Sequence, residues 1–353
     1  MEQKIAARIS RAIEENVFPG CVAGFLSRKS PQTVLAFGRQ TYDPASPPLH
    51  ENSIFDVASI TKAIPTSCLA LRSMDAGKLR LDDRVNEYLP KLRNSYKDKL
   101  LVRHLLTQTV AYGFRLSALK DLGAKGILNA ILTTEFAAEP GSTFFYSNAT
   151  SILLGMVVEK LREECLAVSA QREFFDPLGM TRTSFFPEEF PTDEIVPTEV
   201  DPWRGRTIVG EVHDESAWVL RQSMVAGSAG LFSTVPDILR FLGMMLDDGF
   251  TGGTRYFSKD CIEQMCTNQV AHLGLQTGLG WELNQARYMG TCCSQSTIGK
   301  TGFTGCVCMC DMQRRCALVI LSNCTFPSRK PDTRAIDGVR RDIADMVFSE
   351  IPR

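Results

Sequence analysis

Hydrophobic and polar positions change their spacing several times along the chain. From Glu2 to Asn16 they follow a helical period, which predicts an amphipathic helix. Two short apolar runs, Cys21 to Leu26 and Thr33 to Phe37, flank the polar turn Ser27-Arg28-Lys29-Ser30-Pro31 and read as a β-hairpin. A long apolar helix is expected from Ser59 to Ala76, ended by Gly77, the residue type that closes helices without a Cβ clash. Pro65 removes a backbone donor inside it, so tighter turns are expected at its start. Helical spacing predominates from about Leu81 to Gly249, broken by Ala138-Glu139-Pro140-Gly141 and by an irregular stretch from Pro187 to Pro202. Strand patterns return over Ser296 to Phe303, Cys306 to Cys310 and Cys316 to Ser322, and a helix from about Thr333 to Phe348 follows.

Strands joined by short turns pair antiparallel, and helices from the two ends of the chain can cover one face of the same sheet. The expected architecture is α+β: a mostly antiparallel sheet flanked by helices, assembled from residues 1–58 and 256–353, with a mainly helical subdomain over residues 59–255.

Composition narrows the class. With 44% hydrophobic and 22% charged residues among 353, the chain can bury a large core. A net charge of −1 and dispersed basic residues argue against a phosphate-backbone footprint, so the expected partner is a small-molecule substrate and not nucleic acid. No apolar run reaches the roughly 18 residues of a membrane span. The first residues lack the apolar segment of a secretory signal, which implies a cytoplasmic location and mostly reduced cysteines, twelve in number. Cys306, Cys308 and Cys310 would share one face of a strand, where their spacing splays the thiols too far for a metal centre. They and Cys292-Cys293 are expected as buried free thiols.

Three short segments carry chemistry. Ser59-Ile60-Thr61-Lys62 puts a hydroxyl and an amine on one face of a helical turn, where a neutral Lys62 would accept the Ser59 proton. Ser117-Ala118-Leu119-Lys120 repeats the spacing, but Ser59 follows the extended run Ile54 to Ala58 and opens a helix, whose N-terminal amides favour a nucleophile. Tyr146-Ser147-Asn148 follows the turn at Pro140-Gly141; a phenol near two ammonium groups exchanges protons readily, and the Asn148 amide suits a substrate carbonyl. Lys300-Thr301-Gly302 opens a strand whose glycine permits close approach of a ligand, and Lys300 suits a substrate carboxylate or the polarising of Tyr146. Taken singly, each segment also has a plain structural explanation as a capped loop or a charged sheet edge.

Taken together and in this order, Ser-x-x-Lys, Tyr-x-Asn and Lys-Thr-Gly resemble the motifs of the serine β-lactamase and penicillin-binding protein family, which includes class C β-lactamases, D-alanyl-D-alanine carboxypeptidases and related esterases. The resemblance extends through Lys78 to Asp83, Tyr88 to Pro90, Glu139 to Gly141, Asp176 to Met180, Val212 to Glu215 and Ala226 to Thr234. It implies a β-lactamase/transpeptidase-like fold, a site in the crevice between sheet and helical parts, and no metal or organic cofactor. By the same resemblance Ser59 is acylated, Lys62 and Tyr146 move protons with Lys300 beside them, and Asn148 contacts the substrate amide. The backbone N–H groups of Ser59 and Phe303 form the oxyanion hole, with Thr301 and Gly302 alongside. Thr107-Gln108-Thr109-Val110-Ala111-Tyr112-Gly113 resembles a loop that usually reads Thr-His-Thr-Ser-Gly, so Gln108, Val110 and Ala111 are changes near the rim of the site, where Gln108 and Tyr112 are expected to meet substrate. His213 reads as structural. Many relatives with His in place of Lys300 are esterases, so Lys300 leans toward peptides or lactams with a free carboxylate, whereas the absent signal leans toward a cytoplasmic esterase.

Overall fold

The computed structural model describes residues 1–27 and 30–350; Arg28 and Lys29 of the expected turn lie outside the described residues. Helix α1 (Glu2–Glu14) buries Ile5, Ile9 and Ala12. Strands β1 (Gly20–Ser27) and β2 (Ser30–Gly38) form the expected antiparallel hairpin. Strand β3 (Phe55–Asp56) leads through the Ser59 turn to helix α2 (Cys68–Asp75). The longer helices α3 (Gly123–Thr133) and α4 (Asn148–Arg162) follow, then the short helix α5 (Glu215–Leu220), strand β4 (Phe232–Ser233) and helix α6 (Val235–Leu246). Strands β5 (Glu282–Leu283), β6 (Thr297–Thr301), β7 (Val307–Asp311) and β8 (Cys316–Ser322) precede helix α7 (Arg334–Glu350).

These strands form a six-stranded antiparallel sheet in the order β2-β1-β8-β7-β6-β5, split in sequence as expected and closed by the β1–β8 pairing. Successive side chains point to opposite faces, and here both faces are covered. On one face Phe25, Met309, Leu318 and Ile320 pack with Ile5 and Ile9 of α1 and with Val339, Ile343 and Val347 of α7. On the other, Val22, Val319 and Leu321 pack with Leu239 and Leu242 of α6, joined by Cys306, Cys308 and Cys310. The three alternating cysteines therefore share one face as expected, and all twelve cysteines are free thiols. Each fully buried aliphatic side chain contributes about 1.5–3 kcal/mol. A Cβ on Gly24 would meet Val235 Cγ1 at 2.5 Å, so this glycine is what lets α6 lie close against β1. No helix among the described residues is long and apolar enough to cross a membrane.

The helix expected from Ser59 to Ala76 is interrupted near Pro65. Residues 62–67 form a wide π-type turn in which Ile64 is extended (φ −110°, ψ 112°), and regular helix begins only at Cys68. Pro65 has no N–H to donate and its ring crowds the preceding turn, so the backbone opens there where tighter turns were expected.

Candidate active site

The nucleophile turn is anchored by a buried carboxylate. Asp56, 1% exposed, accepts from Ala58 N–H (2.8 Å) and His213 N–H (2.7 Å). Burial pushes its carboxyl above the ordinary value despite both donors. The Asp56 carbonyl takes the Thr304 hydroxyl at 2.8 Å, which ties the β6–β7 loop to β3. Ala58 is held at φ 48°, a left-handed conformation costing roughly 1 kcal/mol for a non-glycine residue, and Ser59 follows it into a cleft of about 1020 Å³. Ser59 Oγ lies 2.9 Å from Lys62 Nζ, which also donates to the Ser228 carbonyl at 2.8 Å. Burial lowers the Lys62 pKa, Tyr146 opposes that shift and Lys300 adds to it.

Tyr146 sits between two ammonium groups. Lys62 Nζ is 5.1 Å and Lys300 Nζ 4.5 Å from its ring centroid, and its hydroxyl lies against Ser59. Tyr146 is partly exposed on the cleft; desolvation there would raise the phenol pKa, but Lys300 and Lys62 outweigh it and the net shift is downward. Lys300 is itself buried and paired with Glu282 at 2.7 Å. Burial disfavours the Lys300 charge, yet Glu282 and Tyr146 hold its pKa above the ordinary value, and Lys300 holds that of Glu282 below, against its own burial. Glu282 has no local sequence signal, and its role emerges only from the β5–β6 pairing.

Asn148 begins α4 and donates Nδ2 to Asp214 Oδ2 at 2.8 Å. Asp214 in turn caps α5 by accepting from Ala217 N–H at 2.9 Å. Phe303, half exposed, lays its ring 5.7 Å from that of His213, with Arg329 over its face at 5.7 Å. His213 Nε2 lies 2.7 Å from Glu199, which also takes Arg329 at 2.8 Å. His213 also lines the cleft, between Glu199 and the ring of the residue after the Lys-Thr-Gly motif.

The family model described as Beta-lactamase matches residues 5–340, nearly the whole chain. The chain belongs to the Beta-lactamase family. A protein of Escherichia coli (strain K12), named as a candidate D-alanyl-D-alanine carboxypeptidase, is 29% identical over 302 residues, spanning 77% of this chain and 69% of its own length. Among solved structures, EstCE1, described as a hydrolase with promiscuous acyltransferase activity, has a TM-score of 0.78 at 21% identity and 98% coverage of both chains. A penicillin-binding protein homologue from Pyrococcus abyssi has a TM-score of 0.74 at 23% identity, covering 96% of this chain and 76% of its own. These likenesses establish the β-lactamase/transpeptidase-like fold.

Of the residues that the Beta-lactamase resemblance singled out, Ser59, Tyr146, Asn148, Thr301, Gly302 and Phe303 line the cleft, and Lys62 and Lys300 lie buried beside Tyr146. Two expected rim residues do not line it. Tyr112 is 2% exposed, donates to the Ile131 carbonyl and packs edge-on against Phe114 and Phe136, because an aromatic ring gains more from this apolar cluster than from an open rim. Gln108 takes the Ser147 N–H at 3.0 Å and donates to Ser151, bracing the Tyr146 loop from behind. In the second Ser-x-x-Lys segment Ser117 also lines this cleft, but Lys120 lies over the Trp203 ring at 4.5 Å. Among the described residues no group of three or more His, Cys, Asp and Glu is arranged to hold a metal ion.

Proposed function

We propose that the chain is a serine hydrolase that cleaves an ester, amide or lactam carbonyl through an acyl-enzyme on Ser59. The observation that carries this reading is the 2.9 Å contact between Ser59 Oγ and a buried Lys62 whose pKa is lowered. Lys62 takes the hydroxyl proton as Oγ bonds to the carbonyl carbon. The oxyanion forms at the N–H groups of Ser59 and Phe303, neither of which donates to a backbone carbonyl among the described residues. When the bond to the leaving group breaks, the proton passes through the Lys62–Tyr146 pair to the departing oxygen or nitrogen. Water then attacks the acyl carbon, the same pair accepts its proton, and the Ser59 hydroxyl is restored. Substrate enters the cleft lined by Ser59, Tyr146, Asn148 and Thr301. The name of the Escherichia coli relative favours peptides and the description of EstCE1 favours acyl transfer, and both routes run through the same intermediate.

The same fold would also serve a non-catalytic binding protein, and covalent labelling separates the two. Intact mass after treatment with a fluorophosphonate or a fluorescent penicillin is expected to show one adduct on the wild type and none on Ser59→Ala. Turnover of a chromogenic cephalosporin, a short-chain p-nitrophenyl ester and an acyl-D-Ala-D-Ala peptide is expected to fall to background in that variant. An unlabelled wild type, or equal turnover in Ser59→Ala, overturns the reading.

A further inference from the structure

Glu282 and Asp214 both line the cleft, and neither belongs to the three motifs. Each holds the polar group through which a motif residue would meet a peptide or lactam. Glu282 Oε1 takes Lys300 Nζ at 2.7 Å, with the Lys300 side chain 5% exposed and that of Glu282 17%. Asp214 Oδ2 takes Asn148 Nδ2 at 2.8 Å, and Asp214 is itself fixed by Ala217 N–H and the Ser216 hydroxyl. Resting on the acyl-enzyme reading above, we propose that the substrate is an ester, uncharged on its leaving-group side, and that Glu282 enforces this choice.

Charge sets this preference. A substrate carboxylate approaching Lys300 must either displace Glu282 from a buried pair or lie beside it as a second anion, and both are unfavourable where water is scarce. Arg287 and Arg329 offer little compensation, since the first is paired with Asp337 and the second with Glu199 and Glu215. Arg115 and Lys330 line the outer cleft, but both are exposed, and solvated charges hold an anion weakly. A neutral ester does not need the Lys300 ammonium. It needs apolar surface, and Phe114, Leu116, Phe144 and Leu275 provide it in the same cleft.

The test uses butyryl esters of p-hydroxybenzamide and p-hydroxybenzoate, which differ in one leaving-group charge. The wild type is expected to favour the benzamide ester by about tenfold or more in kcat/KM, Glu282→Gln to narrow that ratio several-fold, and Glu282→Asp to keep it. A wild type that cleaves the charged ester as fast as the neutral one, or a Glu282→Gln ratio that does not move, overturns the inference while Ser59 labelling stands. Loss of both turnover and Ser59 labelling in the wild type overturns the acyl-enzyme reading and the inference with it.

Discussion

At Tyr146 two ammonium groups outweigh desolvation, and one of them, Lys300, also lowers the pKa of Lys62. Burial first, and Lys300 after it, lower the Lys62 pKa, while Tyr146 and Asp214 raise it. If neutral Lys62 is the base, kcat/KM rises with pH through that lowered pKa, so the ascending limb lies below the ordinary lysine value of 10.5. Replacing Lys300 by Met removes a positive neighbour of Lys62 and Tyr146 and leaves Glu282 without its ammonium partner. Both changes stabilise protonated Lys62 and protonated Tyr146. The pH profile of Lys300→Met, measured with a neutral ester, is therefore expected to have its ascending limb moved to higher pH. A lower plateau with an unmoved limb would mean that Lys300 acts by shape and not by charge.

Among the elements, the end of β6 and the chain leaving β3 meet at Gly302. A Cβ there would lie 2.4 Å from the Val57 carbonyl, a backbone atom two residues before Ser59, and 3.2 Å from Cys306 Cβ. Gly302→Ala must therefore part the strand carrying Lys300 from the turn carrying Ser59. The expected cost is about 1–3 kcal/mol in unfolding free energy. The expected loss in kcat/KM is about 10²-fold, because a small displacement disables oriented groups. Denaturant unfolding and ester turnover measure the two separately, and wild-type turnover would show that the two segments do not need this contact. The strands were legible in the sequence because β7 and β8, covered on both faces, read as continuous apolar runs bounded by turns. The break at Ile64 was not, since a proline announces a missing donor without announcing which way the backbone yields. Tyr112 was misplaced because its partner carbonyl, at Ile131, lies 19 residues on and leaves no trace in the local loop pattern. Glu282 and Asp214 were missed for the same reason, reaching Lys300 and Asn148 across 18 and 66 residues.

For the molecule as a whole, the two helices that leave the site converge again at one carboxylate far from it. α2 follows the Ser59–Lys62 turn and brings Arg72 in its last turn; α4 starts at Asn148 and ends with Arg162. Both arginines reach Glu173, Arg72 at 2.5 Å and Arg162 at 3.1 Å, and Arg172 joins them at 3.1 Å. Glu173 thereby fixes the spacing between the element carrying Lys62 and the element led by Tyr146. Burial would raise its pKa, but the three arginines hold it at about 2, below the ordinary 4.5. A depressed carboxylate pKa contributes stability that is complete above the unfolded value and is lost as pH falls through the folded one. Glu173→Gln is therefore expected to be less stable than wild type at neutral pH, by roughly 1–2 kcal/mol once solvent screening of this partly exposed cluster is allowed for. The gap is expected to close progressively between about pH 4.5 and about pH 2. Urea unfolding of both proteins at neutral pH and within that window measures it, and a gap that stays constant with pH would mean that Glu173 contributes by packing and not by charge.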